Sequence, residues 1–317
     1  MDSILKDYIR PYDPVKDKDL PEYSHSKLEC YTNCAYQYKL KYIDKKTTSD
    51  TTIALTCGSL CHKVLELKGL MLKESKPVNY DYLMDVLENG YPDEEIIGKN
   101  EIKKKFWEDF SIADTEGRTY EDKFKTFEKI LHTEMEDSDW QPWLFEQEFH
   151  FVYKDRVHIK GFIDRIDKHD DKLRVIDYKT SKKIYDETKN KTAQQMAIYN
   201  MALLCMFDKV ATENLYRFIF IDAEQYALSS GWENRICKKL DKILDQIDEC
   251  QSSGIYAPHP TPLCHFCSYC ITNSEATKYK NECQYYMKWT RSNKDFSVNK
   301  EWNPELEKTV KKILFDF

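Results

Sequence analysis

The sequence predicts an α/β protein with a central sheet flanked by helices, and three observations carry that expectation. Two apolar, β-branched runs, Phe162 to Ile166 and Leu173 to Tyr178, flank a polar "KHDD", the pattern of a hairpin between neighbouring strands. A further strand-like run, "NLYRFIFI" from Asn214 to Ile221, follows downstream. Stretches with apolar residues at helical spacing, beginning near Gly58, Thr192 and Trp232, surround these runs. With 317 residues but only 8 Gly and 10 Pro, no linker and no internal repeat stand out, so one elaborated domain is expected over 1–317.

Taken in order, about 20–66 holds "SHSKLECYTNCAYQYKLKYI" and then "GSLCHKVLELKGLML". In the latter, Ser59 is available as a cap, which would put His62 in the first turn of a helix. Residues of about 67–140 alternate helical periods with acidic and aromatic surface and read as a helical insertion. The core of the domain is expected over about 141–255. There "WLFEQEFHFVY" from Trp143 is a strand leading into the hairpin, and "TAQQMAIYNMALLCMF" is an amphipathic helix with Gln195 and Tyr199 as an i, i+4 pair. "WENRICKKLDKILDQIDEC" is the helix that delivers the chain to a cysteine cluster at about 256–290, and 291–317 is a tail.

The hairpin carries acids where a buried strand would favour hydrocarbon, Asp164 in the first run and Asp177 in the second. Side chains alternate along a strand, so Asp177 and Lys179 share a face. Two carboxylates crowded together repel unless a cation lies between them, and Mg²⁺ takes such oxygens along with several waters. A lysine two residues beyond the second acid could then hold or activate water, which is the apparatus of metal-assisted phosphodiester hydrolysis. The plain alternative is a pair of solvated hairpin acids beside a surface lysine.

Composition narrows the classes. Charged residues at 32% and hydrophobic ones at 41% fit a globular enzyme, and no apolar run approaches the roughly 18 residues of a membrane span. The start "MDSILKDYIRPYDPVKDKDL" lacks the apolar core of a signal peptide, so a cytoplasmic location is expected. A net charge of −7 argues against indiscriminate nucleic-acid coating but leaves room for a local basic groove. Lys39 and Lys41, Lys103 to Lys105, and Lys179, Lys182 and Lys183 are the candidate contributors.

Eleven cysteines in a reducing compartment do not suggest disulfides. "PLCHFCSYCITNSEATKYKNEC" places Cys264, Cys267, Cys270 and Cys283 near one another, a spacing that serves an iron–sulfur cluster with a fourth ligand from elsewhere, or zinc. Cys30 and Cys34 lie near the other end of the chain, whereas Cys57, Cys61, Cys205, Cys237 and Cys250 read as packing residues.

In this order the motifs resemble the RecB-like branch of the PD-(D/E)XK nucleases, and within it the iron–sulfur members: AddB-type nuclease domains, CRISPR-associated adaptation nucleases, and related phage and eukaryotic exonucleases. The resemblance runs from Ser24 to Cys270. "GSLCHKVLE" is similar to the G-x-x-x-H-x-x-x-E element and implies His62 as a metal ligand. "GFIDRID" implies Asp164, "VIDYKTS" implies Asp177 and Lys179, and "QQMAIY" implies Gln195 and Tyr199. "SHSKLECYTNCAYQYKLKY" resembles the segment that supplies a first cluster cysteine, which selects Cys34 and leaves Cys30 packed. The family's third C-terminal cysteine would fall at Asn273, so either Cys270 or Cys283 takes its part, and a local zinc site on Cys264, Cys267, Cys270 and Cys283 stays open.

The resemblance implies a restriction-endonuclease-like mixed sheet and a Mg²⁺- or Mn²⁺-dependent deoxyribonuclease, most of all an exonuclease acting on single-stranded DNA or duplex ends in recombination, repair or phage DNA processing. Asp164, Asp177, His62 and the Tyr178 carbonyl would hold the ion, Lys179 would orient water, and Gln195 and Tyr199 would touch the substrate backbone or support Lys179. A [4Fe–4S] cluster joining Cys34 to the C-terminal cysteines would close a loop of about 230 residues, a constraint on the order of 5 kcal/mol on the unfolded chain. Any helicase or recombination partner would be a separate chain. A Lys-, Asn-, Asp- and Tyr-rich composition suits an AT-rich genome and a bacteriophage, hence the bacterial host's cytoplasm. The alternative is a catalytically inactive or zinc-stabilised subunit that binds DNA or other proteins.

Overall fold

The computed structural model of the chain describes residues 3–46, 53–89, 120–133, 139–181, 183–186, 193–261, 264, 267–270, 279–283, 285, 287–288 and 297–298. Lys103 to Lys105, Lys182, Asn273, the side chain of Cys57, positions 90–119 of the expected insertion and nearly all of the tail lie outside them. The chain divides into two compact units, Met1–Tyr23 with Thr51–Ile236, and Ser24–Asp50 with Cys237–Phe317.

The first unit opens with a short helix, α1 (Ser3–Lys6), and is built on a mixed sheet of seven strands: β1 (Ile9–Pro11), β2 (Glu22–Tyr23), β3 (Gln141–Tyr153), β4 (Val157–His169), β5 (Lys172–Lys179), β6 (Glu213–Phe218) and β7 (Ala223–Tyr226). Their order is β1-β3-β4-β5-β6-β7, with β2 parallel to β4. Strands β3 and β4 are joined by a tight three-residue connection in which Lys154 and Asp155 both have positive φ, and Arg156 N–H donates to Tyr153 O at 3.0 Å. Two left-handed central residues give the twist that a tight hairpin needs. The expected hairpin is β4–β5, turning at Asp170 with φ of +50°.

Strand β5 runs parallel to β6, so the chain must cross over between them, and it does so through helix α7 (Gln194–Phe207). The sequence predicted an amphipathic helix here, but Gln194 and all of Met196 to Leu204 are buried. A helix covered on all sides is apolar all round. "NLYRFIFI" is a strand only as far as Phe218; Ile219–Ile221 form a 3₁₀ turn that ends at Asp222, with φ of +47°.

Helices α4 (Ile53–Lys73), α5 (Tyr80–Asn89) and α6 (Tyr120–Thr133) bury Val64, Leu65, Leu83, Val86, Phe127 and Leu131 against Ile176, Tyr178 and Leu215 of the sheet. Each such side chain, fully removed from water, contributes about 1.5–3 kcal/mol. Helix α4 begins at Ile53, so Ser59 is not its cap and His62 sits mid-helix rather than in the first turn. The apolar "IAL" ahead of Gly58 carries the helical pattern further back than the glycine suggested. Gly69, two turns after His62 on the same helix face, lies against the Phe145 ring where a methyl group would collide. Its bare Cα therefore lets α4 approach β3 closely enough to present His62 to that strand.

The second unit pairs residues more than 200 apart in sequence. It contains α2 (His25–Asn33), α3 (Ala35–Tyr38) with a π-turn over Lys39–Ile43, most of α8 (Trp232–Ser253), and a small hairpin of β8 (Met287–Lys288) and β9 (Ser297–Val298). Ser24 caps α2 by accepting from Lys27 N–H at 3.2 Å, and Cys34, in extended backbone, stops it. Tyr31 Oη lies 3.3 Å from Cys250 Sγ, Tyr269 Oη donates to Lys46 O at 2.7 Å, and Lys46 pairs with Glu282 at 2.5 Å.

Candidate active site and cysteine-lined cavity

The β4–β5 ladder runs from His169 and Lys172 to Arg165 and Ile176, and no further. Beyond that point β4 continues against β3 and β2, while Asp177 to Lys179 of β5 continue against β6. Asp164 and Asp177 are the first residues on either side of the opening. Asp164 Oδ2 bridges it by accepting from Tyr178 N–H at 2.8 Å. A strand residue's N–H and C=O leave the same edge, so the Tyr178 carbonyl faces the opening too.

His62 Nδ1 stands 3.3 Å from Asp164 Oδ2 and 3.8 Å from Glu146 Oε1. One ligand atom from each of His62, Glu146 and Asp164 lies within 4.8 Å of the others. Sequence reasoning missed Glu146. It sits within β3 with φ of +42°, a left-handed backbone that a glutamate adopts only at a cost of about 1–3 kcal/mol, and such residues cluster at functional sites. The signal was present in "WLFEQEF", an acid inside a strand by the same logic as Asp164, but only the register, with Phe145 against Arg165 and Gln147 against Ile163, brings it level with Asp164.

Asp177 is buried and closes a ring of polar contacts. Lys179 Nζ lies 2.5 Å from Asp177 Oδ2 and donates to Gln195 Oε1 at 2.8 Å. Gln195 Nε2 donates to Tyr199 Oη at 2.7 Å, and Tyr199 O–H donates to Asp177 Oδ1 at 3.1 Å. The sequence-predicted Asp177, Lys179, Gln195 and Tyr199 are thus one interlocked group, with Gln195 set against Lys179. Asp177 Oδ2 meets the Lys179 ammonium as an ion pair and has no hydrogen-bond partner among the described residues. A buried carboxylate oxygen of this kind can accept an ion or a water as a further partner.

The electrostatics agree. Burial pushes the His62 imidazole down, yet Asp164, Glu146 and Asp177 outweigh it and raise it to about 10. Burial raises Asp177 despite the pull of Lys179, and burial beside Asp177 holds Tyr199 well above its ordinary value. Burial alone would lower Lys179, but Asp177 reverses that. An imidazole between carboxylates stays protonated at neutral pH, and a metal ion would take the place of that proton. Two carboxylates and one imidazole, beside an orphaned carboxylate oxygen, suit a hard divalent ion such as Mg²⁺ or Mn²⁺.

In the second unit, Cys34, Cys264, Cys267, Cys270 and Cys283 all line one cavity of about 350 Å³. Cys270 and Cys283 are held side by side by an isolated parallel bridge, with Cys283 N–H donating to Tyr269 O at 2.9 Å. His259 N–H points at Cys34 Sγ and Thr261 N–H at Cys264 Sγ, each at 3.3 Å, while Cys283 S–H donates to Tyr285 O at 3.2 Å. Burial pushes the Cys267 and Cys283 thiols up to about 12, so they ionise only for a cation. Cys30 does not line the cavity. Cys61, Cys237 and Cys250 are buried and Cys205 is partly so, as packing residues would be.

No helix among the described residues is long and apolar enough to cross a membrane. A family model described as the PD-(D/E)XK nuclease superfamily matches residues 22–271, a span that includes both carboxylate strands and every cavity cysteine except Cys283. No curated protein matches the chain.

Proposed function

Because the chain belongs to the PD-(D/E)XK nuclease superfamily, we propose that it is a Mg²⁺- or Mn²⁺-dependent deoxyribonuclease, an exonuclease of the RecB-like branch that hydrolyses phosphodiesters at DNA ends. The observation that carries this reading is the closed ring of Asp177, Lys179, Gln195 and Tyr199 beside the His62–Glu146–Asp164 group. A divalent ion held by Asp164, Asp177, His62, Glu146 and the Tyr178 carbonyl would supply Lewis-acid charge at the scissile phosphate and acidify water. Lys179 Nζ orients the attacking water and offers its charge to the phosphate. Gln195 holds that ammonium as a second partner beside its ion pair with Asp177, and Tyr199 fixes both Gln195 and Asp177. These residues are aligned before substrate arrives, so little reorganisation remains for the reaction.

The test is cleavage of single-stranded, blunt and tailed DNA, each with one end or the other blocked, in Mg²⁺, Mn²⁺ or chelator. Products released one nucleotide or short fragment at a time from an open end are expected only with metal. Metal-dependent cutting of circular DNA would replace the exonuclease reading with an endonuclease. Binding without cleavage of any substrate would favour a catalytically inactive subunit that acts in a larger recombination complex.

The cavity supports a second cofactor. We read its five thiols as the seat of a [4Fe–4S] cluster ligated by Cys34, Cys264, Cys267 and one of Cys270 and Cys283. Backbone N–H groups lie 3.3 Å from Cys34 Sγ and from Cys264 Sγ, contacts of the kind that orient a metal-ligating sulfur. Protein purified without oxygen should be brown, with broad visible absorbance; a colourless protein containing zinc would instead support the local Cys264, Cys267, Cys270 and Cys283 site.

A further inference from the structure

We propose that Arg165, Asp167 and Arg174, acting through the Tyr178 hydroxyl, form a positioning device that fixes the metal-facing carboxylate of Asp164 at the opening between β4 and β5. The proposal rests on the metal site read above.

Arg165 and Asp167 are fully buried within β4, and Arg174 is nearly so in β5. Arg165 Nε and Nη2 donate to the two oxygens of Asp167 at 2.6 and 3.0 Å, a side-on fork that leaves the guanidinium no freedom to swing. Arg174, the cross-strand partner of Asp167, donates to the same carboxylate through Nε and Nη2 at 3.1 and 2.7 Å. Its guanidinium lies 4.9 Å over the Trp140 ring. Holding two guanidinium groups and a carboxylate out of water is expensive, and hydrophobic replacements of such groups are often neutral or stabilising. A fold that merely needed the hairpin closed could have used hydrocarbon.

The placement suggests what the cluster serves. Arg165 is the last residue of β4 paired with β5, and Asp164 is the next one, already past the ladder. Arg165 Nη1 reaches across to donate to Tyr178 Oη at 3.2 Å, while Asp164 Oδ2 accepts from the Tyr178 backbone N–H at 2.8 Å. Two consecutive β4 residues therefore grip one β5 residue, one by its side chain and the other by its peptide. The β6 ladder holds the Tyr178 peptide and Arg165 holds its ring, so the residue cannot shift along the opening, and the Asp164 carboxylate that accepts from its N–H is held with it. Losing that grip frees the carboxylate to turn, and second-sphere contacts of this type carry on the order of 10-fold to 100-fold in metal affinity.

The test is Mn²⁺ titration of the intact protein, followed by the electron paramagnetic resonance signal of free Mn²⁺ well below the melting temperature. Tyr178→Phe removes one hydroxyl, keeps the ring and leaves the Arg–Asp–Arg cluster in place. It should weaken Mn²⁺ binding on the order of 10-fold with circular dichroism unchanged. Arg165→Lys should produce a similar loss, and combining the two should add little, because both break one link. Asp164→Asn serves as the control and should nearly abolish binding. If Asp164→Asn loses Mn²⁺ but Tyr178→Phe keeps wild-type affinity, the positioning device is refuted and the metal site stands. If Asp164→Asn also binds as wild type, the metal assignment fails and the device with it. Should Arg165→Lys not fold, Tyr178→Phe alone decides.

Discussion

In the sheet-bearing unit the candidate catalytic side chains bind one another, whereas in the second unit five thiols face a cavity, with Cys34, Cys264 and Cys283 in contact with backbone groups. Asp177, Lys179, Gln195 and Tyr199 are each held by at least two contacts within their own ring. No hydrogen bond between Cys34 and Cys264 occurs among the described residues, and burial raises the thiols of Cys34 and Cys267 above their ordinary values. The first site is preorganised by the protein; in the proposed reading, the second is completed by the cluster it binds. Removing an ion should therefore cost the first unit activity and the second unit stability.

The largest effect that could break this contrast is Cys34→Ala. Cys34 is far in sequence from every other cavity cysteine, so losing a ligand also loses the constraint on a very long loop, on the order of 5 kcal/mol. Iron content, visible absorbance and melting temperature should all fall together, and full retention of metal would assign the site to the C-terminal cysteines alone. Next comes Asp177→Asn, which keeps the shape of the side chain but removes its charge. Single-turnover cleavage should drop by about 10²-fold to 10⁴-fold, the range of a general acid–base or charge-holding group, with the circular dichroism spectrum intact. Near wild-type turnover would dissolve the ring as a catalytic unit. Smaller still, His62→Ala and Glu146→Gln should each raise the Mn²⁺ concentration for half-maximal cleavage by about 10-fold or more. An unchanged metal requirement would return either residue to a structural part. At the small end, Cys30→Ala should leave iron content alone and shift stability by no more than about 1 kcal/mol, since it lies outside the cavity.

The two regions also differ in how they can be read from sequence. The hairpin, the acids within it and the helix bearing Gln195 and Tyr199 were legible because alternation and 3.6-residue spacing are local properties. Glu146 was not, since a single acid among aromatics acquires meaning only when register sets it level with Asp164. Arg165, Asp167 and Arg174 drew no expectation at all, because sequence does not show which charges are buried as a group. His62 was found by its motif but misplaced along α4, because Gly58 punctuates the sequence without interrupting the helix. Helix α7 was read as having a polar side, and its burial came from packing against β1 and β3, which no local pattern records. In the second unit the spacing of Cys264, Cys267 and Cys270 was plain, but their convergence with Cys34 and Cys283 on one cavity depends on contacts across more than 200 residues.

The most direct test of the central claim is a single experiment on Lys179→Ala, with Mn²⁺ binding, DNA binding and single-turnover cleavage measured on one preparation. In the proposed mechanism Lys179 orients water rather than holding the ion, so the variant should bind Mn²⁺ and DNA within a few-fold of wild type while cleaving at least about 10²-fold more slowly. Cleavage at the wild-type rate with binding intact would contradict the account, because the ring around Asp177 would then be architecture and the hydrolytic centre would have to lie elsewhere.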